Sequence, residues 1–434
     1  MADLSDKLKN KKAVVGIIGL GYVGLPLAVE FAQNGLKVIG FDIAKTKVDL
    51  INSGQSDIRD VASETVKILI DSGMLSATDD FSRLKSVDCT AICVPTPLSK
   101  TKDPDVAFIL SAMDQIGKYV HKEMLIVLES TTYPGTTEEL ILPGLEQKGL
   151  KVGQDFYLAF SPERIDPGNK TYHTANTPRV VGGVTPECRE IAKQFYRCIV
   201  DDVIDVSSTK AAEMVKLLEN TFRSVNIGLV NEVALMCDRL GLDVWEIIDA
   251  ASSKPFGFMP FYPGPGLGGH CIPIDPHYLS WKLKSLNYYA RFIELAGDIN
   301  THMPEYVIDR VTRHMNDYGQ ALKNARIVVL GVAYKPDISD VRESPALDVI
   351  KLLQDRGAKV MYNDPYVPIV KFDSGDMKSQ KLTKKLLESA ACTIIVTNHS
   401  DYDYQWVVDH SNLVFDTRNA TKNVKGSKRK IAKL

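Results

Sequence analysis

Residues 264–276 combine a cysteine with an unusual density of glycine. The segment reads Gly-Pro-Gly-Leu-Gly-Gly-His-Cys-Ile-Pro-Ile-Asp-Pro, so Cys271 follows four glycines and precedes Asp275 by four positions. Small neighbours leave a sulfur open to a ligand, and a thiolate is an intrinsically strong nucleophile. The pattern therefore predicts a reactive cysteine at 271, although Asp275 followed by Pro276 is also typical of a helix start.

A second glycine-rich segment, Gly19-Leu-Gly21-Tyr-Val-Gly24, stands between a predicted strand (13–18) and a predicted helix (23–34). There the first glycine permits a tight turn, the second lets the backbone approach a pyrophosphate, and the third allows close helix–strand packing. The next predicted strand ends at Asp42, 23 residues after Gly19. A carboxylate there accepts from the adenosine 2′-hydroxyl and repels a 2′-phosphate. The pattern predicts a dinucleotide site for NAD rather than NADP.

Two further groups of polar residues are less specific. Lys216 and Asn220 are four apart on a predicted helix and so share one face, which is equally typical of a solvated surface. The polar segment 161–168 (Ser-Pro-Glu-Arg-Ile-Asp-Pro-Gly) follows an apolar strand, and its charges fit a salt-bridged loop as well as a site.

The elements that must position these residues alternate between strand and helix. Runs of strand length recur in the first half of the chain, an apolar helical pattern extends over 208–239, and the strand–helix alternation restarts at 326. We therefore predict an α/β fold with two Rossmann-like, doubly wound parallel-sheet domains joined by a long central helix. The expected bounds are 1–207, 208–316 and 317–421, followed by a solvated, partly disordered basic tail at 422–434.

Composition excludes several classes of protein. The 434 residues are 44% apolar and 24% charged, with a formal charge of −2, which argues against a disordered chain and against a nucleic-acid surface. Seven scattered cysteines without a CxxC pair predict neither zinc nor a disulfide framework, and favour a reducing cytoplasm. The apolar run 13–29 carries four glycines and a proline and is too short to span a membrane, so we predict no membrane association.

Taken together, these motifs resemble the UDP-glucose/UDP-N-acetylhexosamine 6-dehydrogenase family from end to end. Gly-Gly-x-Cys-x-Pro-x-Asp at 268–275 is highly specific to that family, and so is the order of the remaining pieces. They are Gly19-x-Gly21-x-x-Gly24, Ser130-Thr131, Ser161-Pro-Glu163, Glu213-x-x-Lys216-x-x-x-Asn220, Gly331-Val-Ala-Tyr-Lys335-Pro, Asp340-Val-Arg342-Glu-Ser-Pro and Phe415-Asp-Thr-Arg418.

The resemblance implies a four-electron oxidation of a sugar C6 hydroxyl to a carboxylate with two NAD+. It implies that Cys271 forms a thiohemiacetal and then a thioester. Lys216 and Asn220 would steady the developing oxyanion, Asp275 would assist proton transfer through a water, and Glu163 would serve the final hydrolysis.

The resemblance also implies binding residues, a dimer through the central helix, and a C-terminal domain that grips UDP. Thr131 would position water or the nicotinamide. The implied cofactor-binding residues are Gly19, Gly21, Tyr22, Val23, Gly24, Asp42, Pro95, Thr96, Ser130, Thr131 and Arg342. The implied substrate-binding residues are Glu163, Arg164, Lys216, Asn220, Tyr262, Gly268, Lys335 and Arg418.

One segment of the sequence differs from the UDP-glucose branch of the family and so narrows the choice of sugar. After Ser161-Pro-Glu163 the chain continues Arg164-Ile-Asp-Pro167-Gly168, which resembles the branches that act on N-acetylated sugars. We expect UDP-N-acetylglucosamine, with UDP-N-acetylmannosamine and UDP-glucose as alternatives. Two other classes compete: a single-hydride hydroxyacid or polyol-phosphate dehydrogenase, which needs no thiol, and a non-catalytic nucleotide-sugar-binding protein, which would not need Cys271, Lys216 or Asp275.

Overall fold

A computed structural model describes residues 3–58, 60–99, 103–147, 149–166, 169, 171–426 and 428–434. The chain divides into two compact units, Met1–Glu219 with His277–Tyr288, and Asn220–Pro276 with Tyr289–Leu434. Each unit contains one sheet whose strands are all or mostly parallel, so the predicted fold class is confirmed.

Eight strands of the first unit form a single sheet: β1 (Val14–Ile18), β2 (Lys37–Phe41), β3 (Leu75–Thr78), β4 (Cys89–Ile92), β5 (Leu125–Leu128), β6 (Tyr157–Phe160), β7 (Arg179–Gly183) and β8 (Val203–Val206). Their order is β3-β2-β1-β4-β5-β6-β7-β8. Every neighbouring pair is parallel except β6 and β7. The described part of the segment between those two strands contains no helix, so β7 returns without the crossover that a parallel strand requires.

Helices cover both faces of this sheet, which is why its central strands are continuous apolar runs rather than alternating ones. Val15 and Ile17 pack into one core and Ile18 and Phe41 into the other. The helices are α1 (Leu4–Lys9), α2 (Gly24–Gln33), α3 (Lys45–Asn52), α4 (Ser63–Asp71), α5 (Ala107–Tyr119), α6 (Leu142–Glu146) and α7 (Pro186–Tyr196), with a 3-10 turn at Phe81–Ser86 and a π turn at Thr137–Ile141.

Four helices follow: α8 (Thr209–Leu240), α9 (Val244–Ser252), α10 (Asp275–Lys284) and α11 (Arg291–Asn316). The predicted long helix is α8, whose 32 residues continue unbroken through Gly228. A Cβ at Gly228 would lie 3.1 Å from the Cα of Ala296, so this glycine permits close approach of α11. Within the described residues, no helix combines the length and the apolar character needed to cross a membrane.

The second unit contains β9 (Arg326–Leu330), α12 (Pro345–Asp355), β10 (Lys359–Asn363), β11 (Ile369–Phe372), β12 (Gly375–Lys378), α13 (Lys384–Ser389), β13 (Cys392–Ile395), α14 (Tyr404–His410), β14 (Val414–Asp416) and β15 (Ile431–Lys433). Five of these strands form a parallel sheet in the order β10-β9-β13-β14-β15, and β11 and β12 form a hairpin.

The end of the chain differs from the solvated tail that its charge predicts. Ile431–Lys433 pairs in parallel with β14 and forms the edge of the sheet, and Leu434 is buried. The prediction of disorder was wrong for these residues because the basic side chains flank a short apolar strand.

Candidate active site

The fingerprint glycines form a cradle at the point where the strand order of the first sheet reverses. Gly19 follows β1 with φ of +92°, and a Cβ there would lie 2.7 Å from the carbonyl oxygen of Cys93, after β4. Gly24 starts α2, and its Cβ would lie 1.8 Å from the oxygen of Gly19. Gly21, by contrast, has no atom from beyond its two chain neighbours within 4 Å of its Cβ position. Open space at Gly21, beside the N-terminus of α2, suits the approach of a pyrophosphate, so these residues fit NAD.

Asp42 supports this turn directly. One carboxylate oxygen accepts from the backbone N–H of Leu20 at 3.0 Å, and the other accepts from Ala44 at 2.9 Å. The residue therefore fixes the fingerprint turn as well as standing at the end of β2, where sequence places the adenosine ribose. Tyr22 and Val23 lie in the turn itself, with Val23 as the residue before α2.

The other expected cofactor residues follow neighbouring parallel strands. Pro95 and Thr96 come after β4, and Ser130 and Thr131 after β5. The Ser130 hydroxyl donates to the oxygen of Val94 at 2.7 Å and so ties these two loops together. Because carboxyl ends of parallel strands meet at one edge, the first sheet collects these residues beside the glycine turn.

Glu163 follows β6 at the same edge and is buried. One of its carboxylate oxygens accepts from the backbone N–H groups of Arg164 and Ile165, each at 2.6 Å. The ammonium of Lys216, on α8, donates to its backbone oxygen. The Arg164 guanidinium lies 2.7 Å from the Glu219 carboxylate. Pro167 and Gly168, on which the sugar expectation partly depends, lie outside the described residues.

In the second unit the reactive-cysteine motif forms a turn that leads into α10. The carbonyl oxygen of Cys271 accepts from the N–H of Ile274 at 3.0 Å and from that of Asp275 at 2.8 Å. The Asn220 amide donates to the Asp275 carboxylate, and both side chains are buried. Thus Cys271, Asn220 and Asp275, which the family motif links, are brought together within one compact unit.

The glycines before Cys271 allow close contact with two other parts of the second unit. A Cβ at Gly264 would lie 2.4 Å from a guanidinium nitrogen of Arg418. A Cβ at Gly268 would lie 2.6 Å from the Cβ of Tyr334, the residue before Lys335. The N–H of Gly269 donates to the carbonyl oxygen of Arg342 at 3.0 Å. The expected substrate residues Gly268, Lys335 and Arg418 therefore belong to one cluster of loops.

Two of the expected binding residues are engaged in other contacts. The Arg342 guanidinium donates to both carboxylate oxygens of Asp340 at 2.6–3.0 Å. Tyr262 stacks on Trp245 with ring centroids 5.9 Å apart, and its hydroxyl donates to Asp249 at 2.8 Å, which raises the pKa of Tyr262.

The second sheet repeats the arrangement of the first without its glycine signature. Gly331 follows β9 with φ of +81°, and its Cβ would lie 2.4 Å from the oxygen of Thr397, after β13. Asp364 follows β10 and accepts from the N–H groups of Val332 and Ala333 at 2.7 and 3.1 Å. Gly331 and Asp364 therefore stand where Gly19 and Asp42 stand in the first sheet.

Cys271 differs from the other cysteines in its surroundings. All seven are described and none is in a disulfide. Five are buried, and burial raises the pKa of the Cys89, Cys93 and Cys392 thiols. Cys198 is half-buried, and burial raises its pKa as well. Buried thiols with raised pKa values are poor nucleophiles, so Cys271, half-buried in a glycine turn, is the best placed for chemistry.

Sequence reasoning overlooked a buried charged cluster in the first unit. It consists of Arg179, Glu129, Glu163 and Tyr196, of which only Glu163 was a candidate. Glu129 directly precedes Ser130 and could have been noticed as an acid between an apolar strand and the Ser-Thr pair. Arg179 gave no sequence signal, because an arginine at a strand start is usually solvated.

The glycine cradle at the switch point of one sheet, a similar turn in the second sheet and a half-buried cysteine in a glycine turn together fit the class of NAD-dependent dehydrogenases that act on a nucleotide-linked substrate. Comparison with known proteins agrees. Residues 13–200 match the NAD binding domain of the UDP-glucose/GDP-mannose dehydrogenase family, residues 210–302 its central domain, and residues 328–423 its UDP binding domain.

Individual relatives cover most of the chain. It is 36% identical over 359 residues to UDP-N-acetyl-D-glucosamine 6-dehydrogenase of Pseudomonas aeruginosa, covering 82% of this chain and 84% of that protein. It is 35% identical over 389 residues to UDP-N-acetyl-D-mannosamine dehydrogenase of Pyrococcus horikoshii, covering 89% and 90%. A solved structure of UDP-D-ManNAc dehydrogenase from Pyrococcus horikoshii superposes with a TM-score of 0.88 at 33% identity, covering 97% and 98%.

The chain therefore belongs to the UDP-glucose/GDP-mannose dehydrogenase family. It is an NAD-dependent UDP-sugar dehydrogenase, as the resemblance read from its motifs predicts.

Proposed function

We propose that this protein oxidises the C6 hydroxyl of a UDP-N-acetylhexosamine to the carboxylate, with UDP-N-acetylglucosamine preferred. The Ser-Pro-Glu-Arg-Ile-Asp-Pro-Gly segment supports an N-acetylated sugar. Relatives named for UDP-N-acetyl-D-glucosamine are 36% and 37% identical to this chain, against 33–35% for those named for UDP-N-acetyl-D-mannosamine. That margin makes UDP-N-acetylmannosamine the close alternative, followed by UDP-glucose.

The observation that carries the proposal is the turn at Cys271, half-buried, with a buried Asn220–Asp275 pair in the same unit. NAD supplies the hydride acceptor, and two equivalents take an alcohol to the oxidation level of an acid. The Cys271 sulfur adds to the intermediate aldehyde to give a thiohemiacetal, whose oxidation leaves a thioester. Water then adds to the thioester carbon, the carbon–sulfur bond breaks, and the thiolate leaves.

The neighbouring groups have roles that suit their chemistry. Asn220 is a neutral donor and Lys216 a charged one, and each would stabilise the oxyanion that forms when sulfur or water adds. Asp275, held by Asn220, would relay a proton through a water. Glu163 would accept a proton from the hydrolytic water, and Thr131 would orient that water or the nicotinamide.

We also propose a cytoplasmic homodimer formed through α8. Leu218, Phe222, Leu229 and Met236 are each 46–58% exposed in the single chain, and their spacing of four, seven and seven places them along one helix face. Exposed large apolar side chains in such a row are typical of a subunit interface. Light scattering of the purified protein tests this assembly.

A panel of UDP-sugars with NAD+ tests the substrate. We expect faster NADH formation with UDP-N-acetylglucosamine than with UDP-N-acetylmannosamine or UDP-glucose. The product should have gained one oxygen atom and lost two hydrogen atoms relative to the substrate. If UDP-glucose is the best substrate, the assignment to N-acetylated sugars is wrong although the family stands.

Two cysteine variants test the covalent step. A serine hydroxyl is hardly ionised at neutral pH, so Cys271→Ser should lose turnover by about three orders of magnitude, on the order of 4 kcal/mol of barrier. Intact-protein mass spectrometry should reveal retained sugar on Cys271→Ser and none on Cys271→Ala. Cys198→Ala is the matched control, because Cys198 is the other cysteine that is not fully buried. Carboxylate formation by Cys271→Ala at the parental rate would refute covalent catalysis.

A further inference from the structure

A buried arginine lies at the edge of the first sheet where two of the expected catalytic residues, Thr131 and Glu163, follow their strands. Arg179 is the first residue of β7, and its side chain is only 3% exposed. Because β7 runs antiparallel to β6, its first residue lies beside the carboxyl end of β6, where Glu163 follows. Burial of a guanidinium is strongly unfavourable unless the group is paired and hydrogen-bonded. The partners of Arg179 therefore indicate its role in the structure.

Arg179 bridges two carboxylates from different loops. One guanidinium nitrogen lies 3.0 Å from Glu129, and the other lies 3.3 Å from Glu163. Glu129 follows β5 and directly precedes Ser130 and Thr131. The guanidinium therefore links the loop that holds the expected water-positioning threonine with the loop that holds the expected hydrolytic carboxylate.

A tyrosine completes the support of Arg179. The Tyr196 ring lies beneath the guanidinium, 5.2 Å from centroid to central carbon, and its hydroxyl donates to the Glu129 oxygen that Arg179 does not contact. Burial raises the pKa of Glu129, although Arg179 opposes the shift. Glu129 and Tyr196 thus hold the arginine through contacts that are separate from its contact with Glu163.

Glu163 is held by donors on both of its carboxylate oxygens. Arg179 contacts one oxygen, and the N–H groups of Arg164 and Ile165 donate to the other. The Lys216 ammonium donates to the backbone oxygen of the same residue. A displacement of Glu163 would therefore disturb the expected hydrolytic carboxylate and the expected oxyanion donor together.

We propose that Arg179 is a positioning residue for thioester hydrolysis, which holds the Glu163 carboxylate in its working orientation and is itself held by Glu129 and Tyr196. The inference rests on the proposed function, because it concerns the step in which the Cys271 thioester is cleaved. In that step the oxygen of water bonds to the thioester carbon, the carbon–sulfur bond breaks, and Glu163 receives the proton of the water. Arg179 touches neither reactant and acts through Glu163.

Arg179→Lys is the test variant, because an ammonium retains the charge but cannot form the two-pronged bridge. Steady-state turnover should fall by about 100-fold, the usual effect of a misplacement on the order of 1 Å. The first NADH molecules should still form rapidly in a burst, since hydride transfer precedes hydrolysis. Intact mass spectrometry during turnover should show sugar accumulating on Cys271, which a general loss of structure would not produce. Arg189→Lys is the matched control, because Arg189 on α7 forms a partly exposed pair with Asp205; this substitution should leave both phases unchanged.

Tyr196→Phe provides a second variant that keeps the aromatic ring and removes only the hydroxyl that donates to Glu129. It should slow the steady state by about three- to tenfold, the effect of one lost hydrogen bond, again with the burst retained. Guanidinium ion added to Arg179→Ala should restore part of the steady-state rate, whereas it should not accelerate Arg189→Ala.

The results distinguish this inference from the proposed function. Parental turnover by Arg179→Lys and Tyr196→Phe would overturn the positioning role, and so would an equal loss of burst and steady state without accumulated adduct. If the parent protein oxidises no UDP-sugar, or Cys271→Ala forms carboxylate at the parental rate, the proposed function itself fails.

Discussion

Replacing Gly21 by alanine separates the binding of NAD from the stability of the turn that binds it. No atom from beyond the two chain neighbours lies within 4 Å of the Cβ position at Gly21, so a methyl group there enters the space that we assign to the pyrophosphate. Folding should be unaffected, whereas the phosphates should be held away from the backbone N–H groups at the start of α2. Loss of one charge-assisted hydrogen bond weakens binding by about 1.5–3 kcal/mol, so the Kd for NAD+ should rise by about 10- to 150-fold.

Two other glycines provide the controls. At Gly24 the added Cβ would lie 1.8 Å from the carbonyl oxygen of Gly19, so Gly24→Ala should destabilise the first unit whether or not NAD is present. Gly117, inside α5, has no atom within 4 Å of its Cβ position. Gly117→Ala should raise the free energy of unfolding by about 0.5–1 kcal/mol, because alanine favours the helix, and should leave NAD binding unchanged.

Titration of NAD+ by calorimetry, with thermal unfolding of the same samples, checks these expectations. Gly21→Ala with parental NAD+ affinity would refute the placement of the pyrophosphate over this glycine. A large loss of stability in Gly21→Ala would equally contradict the open space that the structure shows there.

Three further substitutions probe other parts of the site. The parent should prefer NAD+ to NADP+ by at least about tenfold in kcat/KM, or roughly 1.4 kcal/mol. Asp42→Asn keeps an acceptor for the Leu20 N–H and should reduce that preference. Equal use of both cofactors by the parent would contradict the role of Asp42. Gly268→Ala places a Cβ 2.6 Å from the Cβ of Tyr334 and should lower kcat by about tenfold or more. The Kd for NAD+, measured by calorimetry, should stay unchanged, and weaker NAD+ binding would contradict the assignment of Gly268 to the substrate site. Burial acts to raise the pKa of Asp364, but hydrogen bonds from His399 and backbone N–H groups outweigh it and hold the pKa below its ordinary value of 3.8. Its contribution to stability is therefore present above pH 3.8 and lost as the pH falls through the lower folded-state pKa. Asp364→Asn should remove that acid-dependent part of the unfolding free energy, and an unchanged pH profile in the variant would contradict it.

Much of the fold and of the cofactor site could be predicted from sequence because both depend on local patterns. Apolar runs marked β1, β2, β5 and β9, helical spacing marked α8, and three glycines with a following acid marked the NAD cradle. These signals arise from backbone geometry that few other residue types can adopt.

The remaining features depend on contacts between distant parts of the chain. Arg179 pairs with Glu129 and Glu163, which are 50 and 16 positions away in the chain. It lies beside the carboxyl end of β6 because β7 runs antiparallel to that strand. The turn at Gly331 lacks the other fingerprint glycines, so the sequence did not reveal that Asp364 accepts from Val332 and Ala333 there as Asp42 accepts from Leu20 in the first sheet. The hairpin β11–β12 and the edge strand β15 were missed because charged residues interrupt or end their short apolar runs, whereas β5 is apolar throughout.

The number of NADH molecules formed per sugar tests the account most directly. Purified protein is mixed with excess NAD+ and a limiting, known amount of UDP-N-acetylglucosamine, and NADH absorbance is followed to completion while the product is weighed by mass spectrometry. We predict two NADH for each sugar consumed and a carboxylate product without free aldehyde. A yield of one NADH per sugar, with an aldehyde that persists, would contradict the thioester route through Cys271.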